Sequence, residues 1–227
     1  MKLLNIKTEQ KLFFSSDFHA FHRNLCLSTS WRTEFGEIPL EQVRPFENEQ
    51  IMTQQLIENI NKKVGENDFL IHLGDWSFGG LENIYKFRKQ IICKNIININ
   101  GNHDQHIGEG KSIKFPIDPY DIDFPNNIGE VSIDHCFHAI YDKLNVKYGK
   151  HHFVCSHFPF LCWENISKGW MNLHGHLHNK GEGRFLSHNQ MDVGIDGNPN
   201  FEPYSVEEIL ELIKENNEKI KNFQELF

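Results

Sequence analysis

A chain of 227 residues, 39% hydrophobic and 24% charged with a mean hydropathy of −0.51, can bury a substantial core in one domain and lacks the composition of a disordered, collagenous or membrane-spanning protein. Its net charge of −8, counted with histidine neutral, argues against a protein whose main task is gripping a long polyanion through surface Lys and Arg. Cys26, Cys93, Cys136, Cys155 and Cys162 are scattered without a CxxC pair, and an odd number fits poorly with a disulfide framework, so a reducing cytoplasm is the expected location.

Residues 1–10 break their apolar character after Leu3 and Leu4, and so read as neither the hydrophobic region of a signal peptide nor a membrane span. Residues 12–16 read as a buried strand running into Asp17. Residues 46–64 read as an amphipathic helix, because Met52, Leu56 and Ile60 recur at i+4 with Ile57 and Val64 on the same side. Residues 69–73 form the next expected strand, ending in Gly74-Asp75; a shorter helix over 81–90 carries Leu81, Ile84 and Phe87, and a strand over 95–99 opens onto Gly101. This β-α-β-α-β rhythm predicts adjacent strands of a parallel or mixed sheet with helical crossovers. The second half is richer in strands, expected at 131–140, 144–148, 152–155, 170–173 and 185–193, before a closing helix over about 205–221. Residues 20–43, 104–128 and 158–169 lack clear periodicity, and each stretch directly follows a polar cluster, which makes them candidate walls of a substrate cleft.

The polar clusters are Asp17-Phe18-His19, Gly74-Asp75, Gly101-Asn102-His103-Asp104, Ser156-His157 and Gly175-His176-Leu177-His178. Each begins one or two residues after an apolar or β-branched run, where a strand ends and a site-bearing loop begins. Alone, each is weak: a strand-end Gly-Asp is more often a turn, and two histidines two apart on a strand share a face by pleat geometry. Together they bring Asp17, His19, Asp75, Asn102, His103, His157, His176 and His178 to strand ends, and an open α/β sheet gathers such ends at one place. Mixed carboxylate, amide and imidazole donors suit borderline divalent cations, and the absence of thiolate argues against a structural zinc. The set is too large for one ion. Without His103, seven ligands and one bridging carboxylate would give four contacts to each of two ions, and two metals about 3.5–4 Å apart can hold a hydroxide between them.

The ordered set resembles the calcineurin-like metallophosphoesterase superfamily, whose signature runs D-x-H, G-D, G-N-H-D/E, H and G-H-x-H, over about residues 12–195. His19, His22 and Asn24 after the first strand, Arg44-Pro45-Phe46, and Trp163 after Ser156-His157-Phe158-Pro159 are similar to a bacterial and phage branch of small stand-alone phosphoesterases. The resemblance implies an α/β fold, a mixed β-sheet sandwich flanked by helices in αββα order, as a single domain over 1–227. It implies that Asp17, His19 and His178 bind one metal, that Asn102, His157 and His176 bind a second, and that Asp75 bridges them. His103 would act as general acid toward the leaving oxygen, with Asp104 orienting it by hydrogen bonding. The fourth motif often reads Gly-His in the superfamily and reads Ser156-His157 here, which keeps the ligand.

The activity expected is a dinuclear metal-dependent hydrolysis of phosphate monoesters or diesters with a bridging hydroxide as nucleophile. The cofactors would be two divalent ions, Mn²⁺ first, with Fe, Zn, Ni or Co as alternatives. The expected partner is a small soluble phosphate ester rather than long nucleic acid or membrane, and nothing in the sequence sets the oligomeric state. His22 and Arg44 are candidate substrate-phosphate contacts. His72 and His174 read as core or supporting histidines, and Trp76, Trp163 and Asn172 as packing that could line a cleft. Lys143, Lys147, Lys150, His151 and His152 read as a solvated hairpin. The competing readings are a metal-bound interaction scaffold and a nuclease with the same centre.

Overall fold

The computed structural model describes residues 3–26, 32–33, 36–37, 44–114 and 130–224. The first half carries strands β1 (Leu3–Ile6), β2 (Leu12–Ser15), β3 (Arg32–Thr33), β4 (Gly36–Glu37), β5 (Phe69–His72), β6 (Asn95–Ile99) and β7 (Ser112–Lys114), with helices α1 (Glu49–Lys63) and α2 (Leu81–Arg88). The second carries β8 (Glu130–Ser132), β9 (Ala139–Tyr141), β10 (Lys143–Tyr148), β11 (His151–Ser156), β12 (Met171–His174), β13 (Gln190–Asp192), β14 (Tyr204–Ser205) and helix α3 (Val206–Gln224).

Continuous apolar runs in β2, β5 and β6 reflect a sheet buried on both faces. Successive side chains point to opposite sides, so Phe13, Leu70 and Ile96 pack with Met52, Leu56 and Ile60 of α1 and Ile84 and Phe87 of α2. Their neighbours Phe14, Ile71 and Ile97 pack with Val146, Phe153, Leu173 and Met191 of the other sheet and with Ile209 and Ile213 of α3. Burying one such side chain contributes roughly 1.5–3 kcal/mol. Helix α1 starts where Asn48 accepts a hydrogen bond from the Ile51 backbone N–H at 2.9 Å, and Lys62 and Lys63 complement the dipole of its last turn.

The result is an α/β sandwich of two mixed sheets with three flanking α-helices among the described residues. The first sheet runs β14-β2-β5-β6-β9, with β2, β5, β6 and β9 parallel and β14 antiparallel. The second runs β1-β10-β11-β12-β13, with β10 and β11 antiparallel and the other pairs parallel. The β-α-β-α-β reading of the first half therefore matches the observed crossovers through α1 and α2.

Three second-half expectations need correction. The run 131–140 is not one strand: residues Ile133–Cys136 form a 3-10 turn between β8, which pairs with β7, and β9, which pairs with β6. The Asp134 carboxylate accepts the Gly108 and Gly110 N–H groups at 2.7 and 3.1 Å, and that side-chain demand bends the chain there. Of 185–193 only Gln190–Asp192 is extended, because Asn189 adopts φ +56° and turns the chain just before it. Of residues 158–169, Phe158 stands beside His157 and His176, whereas residues 160–164 cover the outer face of the second sheet, where Phe160 N–H and Gln190 Nε2 bond to Asn172 Oδ1, Gln190 Nε2 also to the Phe160 carbonyl, and Asn145 Nδ2 to Glu164. Trp163, with its Nε1 donating to the Trp170 carbonyl, packs in this cover. Much of 20–43 and of 104–128 lies outside the described residues.

Candidate metal centre

Parallel pairing puts the carboxyl ends of β2, β5 and β6 at one edge of their sheet and those of β11 and β12 at one edge of theirs, and the two edges meet. Backbone bonds carry the ladders onward: Asp17 N–H to Gly74 O at 2.9 Å, His19 N–H to Asp75 O at 3.0 Å and Gly175 N–H to His157 O at 2.9 Å. Asp17, His19, Asp75, His176 and His178 all have positive φ, between 46° and 73°. A non-glycine residue in that region costs on the order of 1 kcal/mol or more, and such strain gathers at functional sites. Two glycines are required by close approach. A Cβ on Gly101 would collide with the Asp75 carboxylate, and one on Gly175 with Ser16 Oγ and the Asp17 carboxylate.

Five side chains surround Asp75 and Asp17. Asp75 Oδ2 lies 3.5 Å from both His19 Nε2 and His157 Nε2. Asp17 Oδ1 lies 3.9 Å from His19 Nε2 and 3.7 Å from His178 Nε2, and the two imidazole nitrogens are 3.3 Å apart. On the other side, Asn102 Oδ1 is 2.9 Å from His157 Nε2 and 3.1 Å from His176 Nδ1. Donor atoms of Asp17, His19 and His178, and of Asp17, Asp75 and His157, fall within 4.8 Å of one another. All seven expected ligands are thus brought together.

The donors are aimed inward by partners behind them. His157 Nδ1 faces the Leu73 carbonyl at 2.8 Å, which can only accept, so the proton sits on Nδ1 and the Nε2 lone pair points into the cluster. His178 Nδ1 likewise donates to Asp196 Oδ2 at 2.8 Å, freeing its Nε2. Asp17 Oδ1 is buried without a hydrogen-bond partner, so the cluster contains an unsatisfied carboxylate oxygen facing the Nε2 atoms of His19 and His178. Such a donor set fits a divalent cation.

Burial pushes the Asp17 carboxyl up to about 6, against the lowering pull of His178 and His157, and it raises Asp75 as well. Burial holds His19 well below its ordinary value, helped by the charges of His178 and Arg44, and lowers His176. For His178 burial also lowers, but the Asp196 hydrogen bond and the charges of Asp17 and Asp196 outweigh it and the net shift is upward. Burial therefore favours neutral imidazoles at His19 and His176 and makes the Asp17 and Asp75 carboxyls reluctant to ionise, whereas His178 holds its proton more readily.

His103 is exposed at the mouth, its ring 5.3 Å from that of His19 and its backbone N–H donating to Asp75 Oδ1 at 2.8 Å. The expectation that Asp104 orients it does not hold. The buried Asp104 carboxylate accepts the backbone N–H groups of Asp75, Trp76 and Gly101 at 2.8–2.9 Å, stitching the β5 and β6 loops together. Arg44 is corrected too. Fully buried, it pairs with both Asp196 oxygens at 2.9 Å and donates to the Asp17 and Phe18 carbonyls, leaving no exposed guanidinium to meet a substrate.

His22 stacks on Phe78 with ring centres 4.2 Å apart, and burial together with the charges of His103 and Arg44 lowers it to about 4. His72 and His174 are buried beneath the loops, His72 bonded to Asn98 Oδ1 at 2.9 Å. Trp76 and Asn172 are fully buried. Lys147 and His152 pair across the β10–β11 hairpin. The residue that sequence reasoning missed is Asp196, which holds both Arg44 and His178. Its signal was present: an apolar run, Val193 to Ile195 with Gly194 inside it, ends in an acid followed by Gly197, much as Leu73 runs into Gly74-Asp75.

No protein-family model matches the chain, and no curated protein matches it. Among solved structures, a protein of unknown function from Aquifex aeolicus superposes with a TM-score of 0.56 and 18% identity, covering 89% of this chain and 99% of that one. At that identity the likeness establishes a shared fold. A conserved uncharacterised protein from Streptococcus pneumoniae TIGR4, a predicted phosphoesterase, aligns with a TM-score of 0.36 and 14% identity over 82% of this chain and 71% of that one, too distant to carry weight.

Proposed function

We propose that the chain is a dinuclear metal-dependent hydrolase of phosphate esters with a calcineurin-like centre. The observation that supports it most is the Asp75 carboxylate, one oxygen of which faces His19 and His157 at equal distance between two donor groups. Asp17, His19 and His178 would hold one cation, Asn102, His157 and His176 the other, and Asp75 would be shared. Two bound divalent cations would supply an activated water and charge neutralisation at phosphorus.

The chain's own residues complete the chemistry. Asp196 and the Leu73 carbonyl keep the protons of His178 and His157 on Nδ1, away from the donors' inward faces. Asp104 fixes the Asp75 and Gly101 backbones, so the shared carboxylate and the His103 loop keep one relation. His103, exposed and off the donor set, would give its proton to the leaving oxygen, an effect worth roughly 10²–10⁴ in rate.

Release of nitrophenol from p-nitrophenyl phosphate and bis(p-nitrophenyl) phosphate, with Mn²⁺, Ni²⁺, Co²⁺ or Zn²⁺ and with chelator, tests the proposal. Hydrolysis that needs the cation supports it; no hydrolysis with any of them refutes it. In that case the intact donor set would favour the metal-bound scaffold. Among the described residues no helix is long and apolar enough to cross a membrane.

A further inference from the structure

Two solvent-exposed phenyl rings stand at the mouth, Phe78 against His22 near His103 and Phe158 against the donors His157 and His176. Phe78, 42% exposed, lies face to face on His22 with planes 8° apart, and its centre is 6.0 Å from the His103 ring. Its backbone is pinned at both ends: its N–H donates to the Ala20 carbonyl at 2.8 Å and its carbonyl accepts Asn83 Nδ2 at 2.7 Å. Phe158, 49% exposed, sits 4.5 Å from His176 and 5.0 Å from His157, and its carbonyl accepts Ser156 Oγ at 2.7 Å. Single exposed apolar residues are ordinary. Here, though, Phe158 sits against two donor imidazoles and Phe78 stacks on His22 close to His103, both on backbones the fold holds in place, so each offers a pre-set flat face at the mouth. Arg44, buried against Asp196, puts no charge there.

We propose that the substrate is a phosphodiester with a flat apolar group on each ester oxygen: the leaving group rests on Phe78 beside His103, and the retained group rests on Phe158 beside His157 and His176. This inference rests on the hydrolase reading. Water adds to phosphorus, the bond to the leaving oxygen breaks, and that oxygen takes the proton His103 gives. The products are an alcohol or phenol and the monoester of the retained group; the proton lost by water passes to solvent, from which His103 is reprotonated.

The Mn²⁺-loaded chain is assayed on bis(p-nitrophenyl) phosphate and methyl p-nitrophenyl phosphate, in wild type, Phe78→Ala and Phe158→Ala. Loss of one stacked face is expected to raise KM about five- to tenfold. Phe78→Ala should do so for both esters, whereas Phe158→Ala should raise KM several-fold more for the bis-aryl ester than for the methyl ester, which has no second ring. Calorimetric binding of diphenyl phosphate should weaken about five- to tenfold in each variant, with Mn²⁺ stoichiometry unchanged. Thymidine 5′-p-nitrophenyl phosphate separates the sources of the flat group: sensitivity to Phe158→Ala assigns a nucleobase to that face, and insensitivity beside a sensitive bis-aryl ester assigns an aryl group. Hydrolysis of these esters with KM values indifferent to both substitutions overturns this inference alone. Absence of hydrolysis in the wild type overturns the hydrolase reading with it.

Discussion

Replacing Arg44 by Met separates a buried clamp from a substrate contact. In the folded protein Arg44 has no exposed surface, engages both oxygens of Asp196 and donates to the carbonyls of Asp17 and Phe18. Its removal leaves the Asp196 charge, itself 7% exposed, with only His178 beside it and leaves two carbonyls without those donors. Breaking a buried pair on one side costs about 3–5 kcal/mol. For a chain of this size that is a fall in Tm of roughly 10 °C, at 2–4 °C per kcal/mol. Urea unfolding with chelator present, followed by circular dichroism, reads the free-energy loss, and a thermal melt reads the fall in Tm. The double variant Arg44→Met/Asp196→Leu should recover most of the stability, since apolar replacement of a buried pair is often neutral. It should still bind Mn²⁺ about 10- to 100-fold more weakly, because His178 has lost the acceptor that sets its tautomer. Stability within about 0.5 kcal/mol of wild type for Arg44→Met, the usual range for a surface substitution, together with a raised KM for substrate, would refute the reasoning and restore the phosphate contact.

Asp104→Ala strands the N–H groups of Asp75, Trp76 and Gly101, a loss of about 3 kcal/mol or more in unfolding free energy, and it should weaken Mn²⁺ binding because Asp75 is no longer held. If calorimetry shows unchanged Mn²⁺ affinity and only the rate falls, Asp104 acts on His103 after all. The Asp17 carboxyl gives a pH signature with chelator present. Its folded value of about 6 lies above the ordinary 3.8, so between about pH 4 and pH 6 the folded state holds a proton that the unfolded state has lost. Its contribution to stability therefore falls as pH rises through that window, by on the order of 3 kcal/mol at 1.36 per pH unit. Asp17→Asn cannot titrate, so its stability relative to wild type should climb from pH 4 to pH 6; a flat difference contradicts the burial argument.

The five clusters were legible because an apolar run followed by Asp, His or Gly-Asp marks a strand handing over to a loop, and parallel pairing then gathers the loops. The β2-α1-β5-α2-β6 half was legible for the same reason: its segments are long and its periodicities differ. What stayed hidden depends on partners far away in the chain. Arg44 meets Asp196 only when the fold closes, 152 residues on. Asp104 looked like a companion to its neighbour His103 because sequence adjacency suggests contact, yet its carboxylate turns to backbone N–H groups from the β5 end. The left-handed backbone at Asp17, His19 and His178 has no sequence signal, since those residue types do not announce positive φ as glycine does. Residues 160–164 lack periodicity because they lie over a sheet and bond through buried amides at Asn145, Asn172 and Gln190.

Whether two cations share Asp75 is read by a calorimetric Mn²⁺ titration of wild type, Asp75→Ala and His103→Ala. Two ions per chain are expected in wild type, with binding lost in Asp75→Ala and two ions retained in His103→Ala. One ion in wild type, full occupancy without Asp75, or loss of an ion with His103→Ala would contradict that sharing.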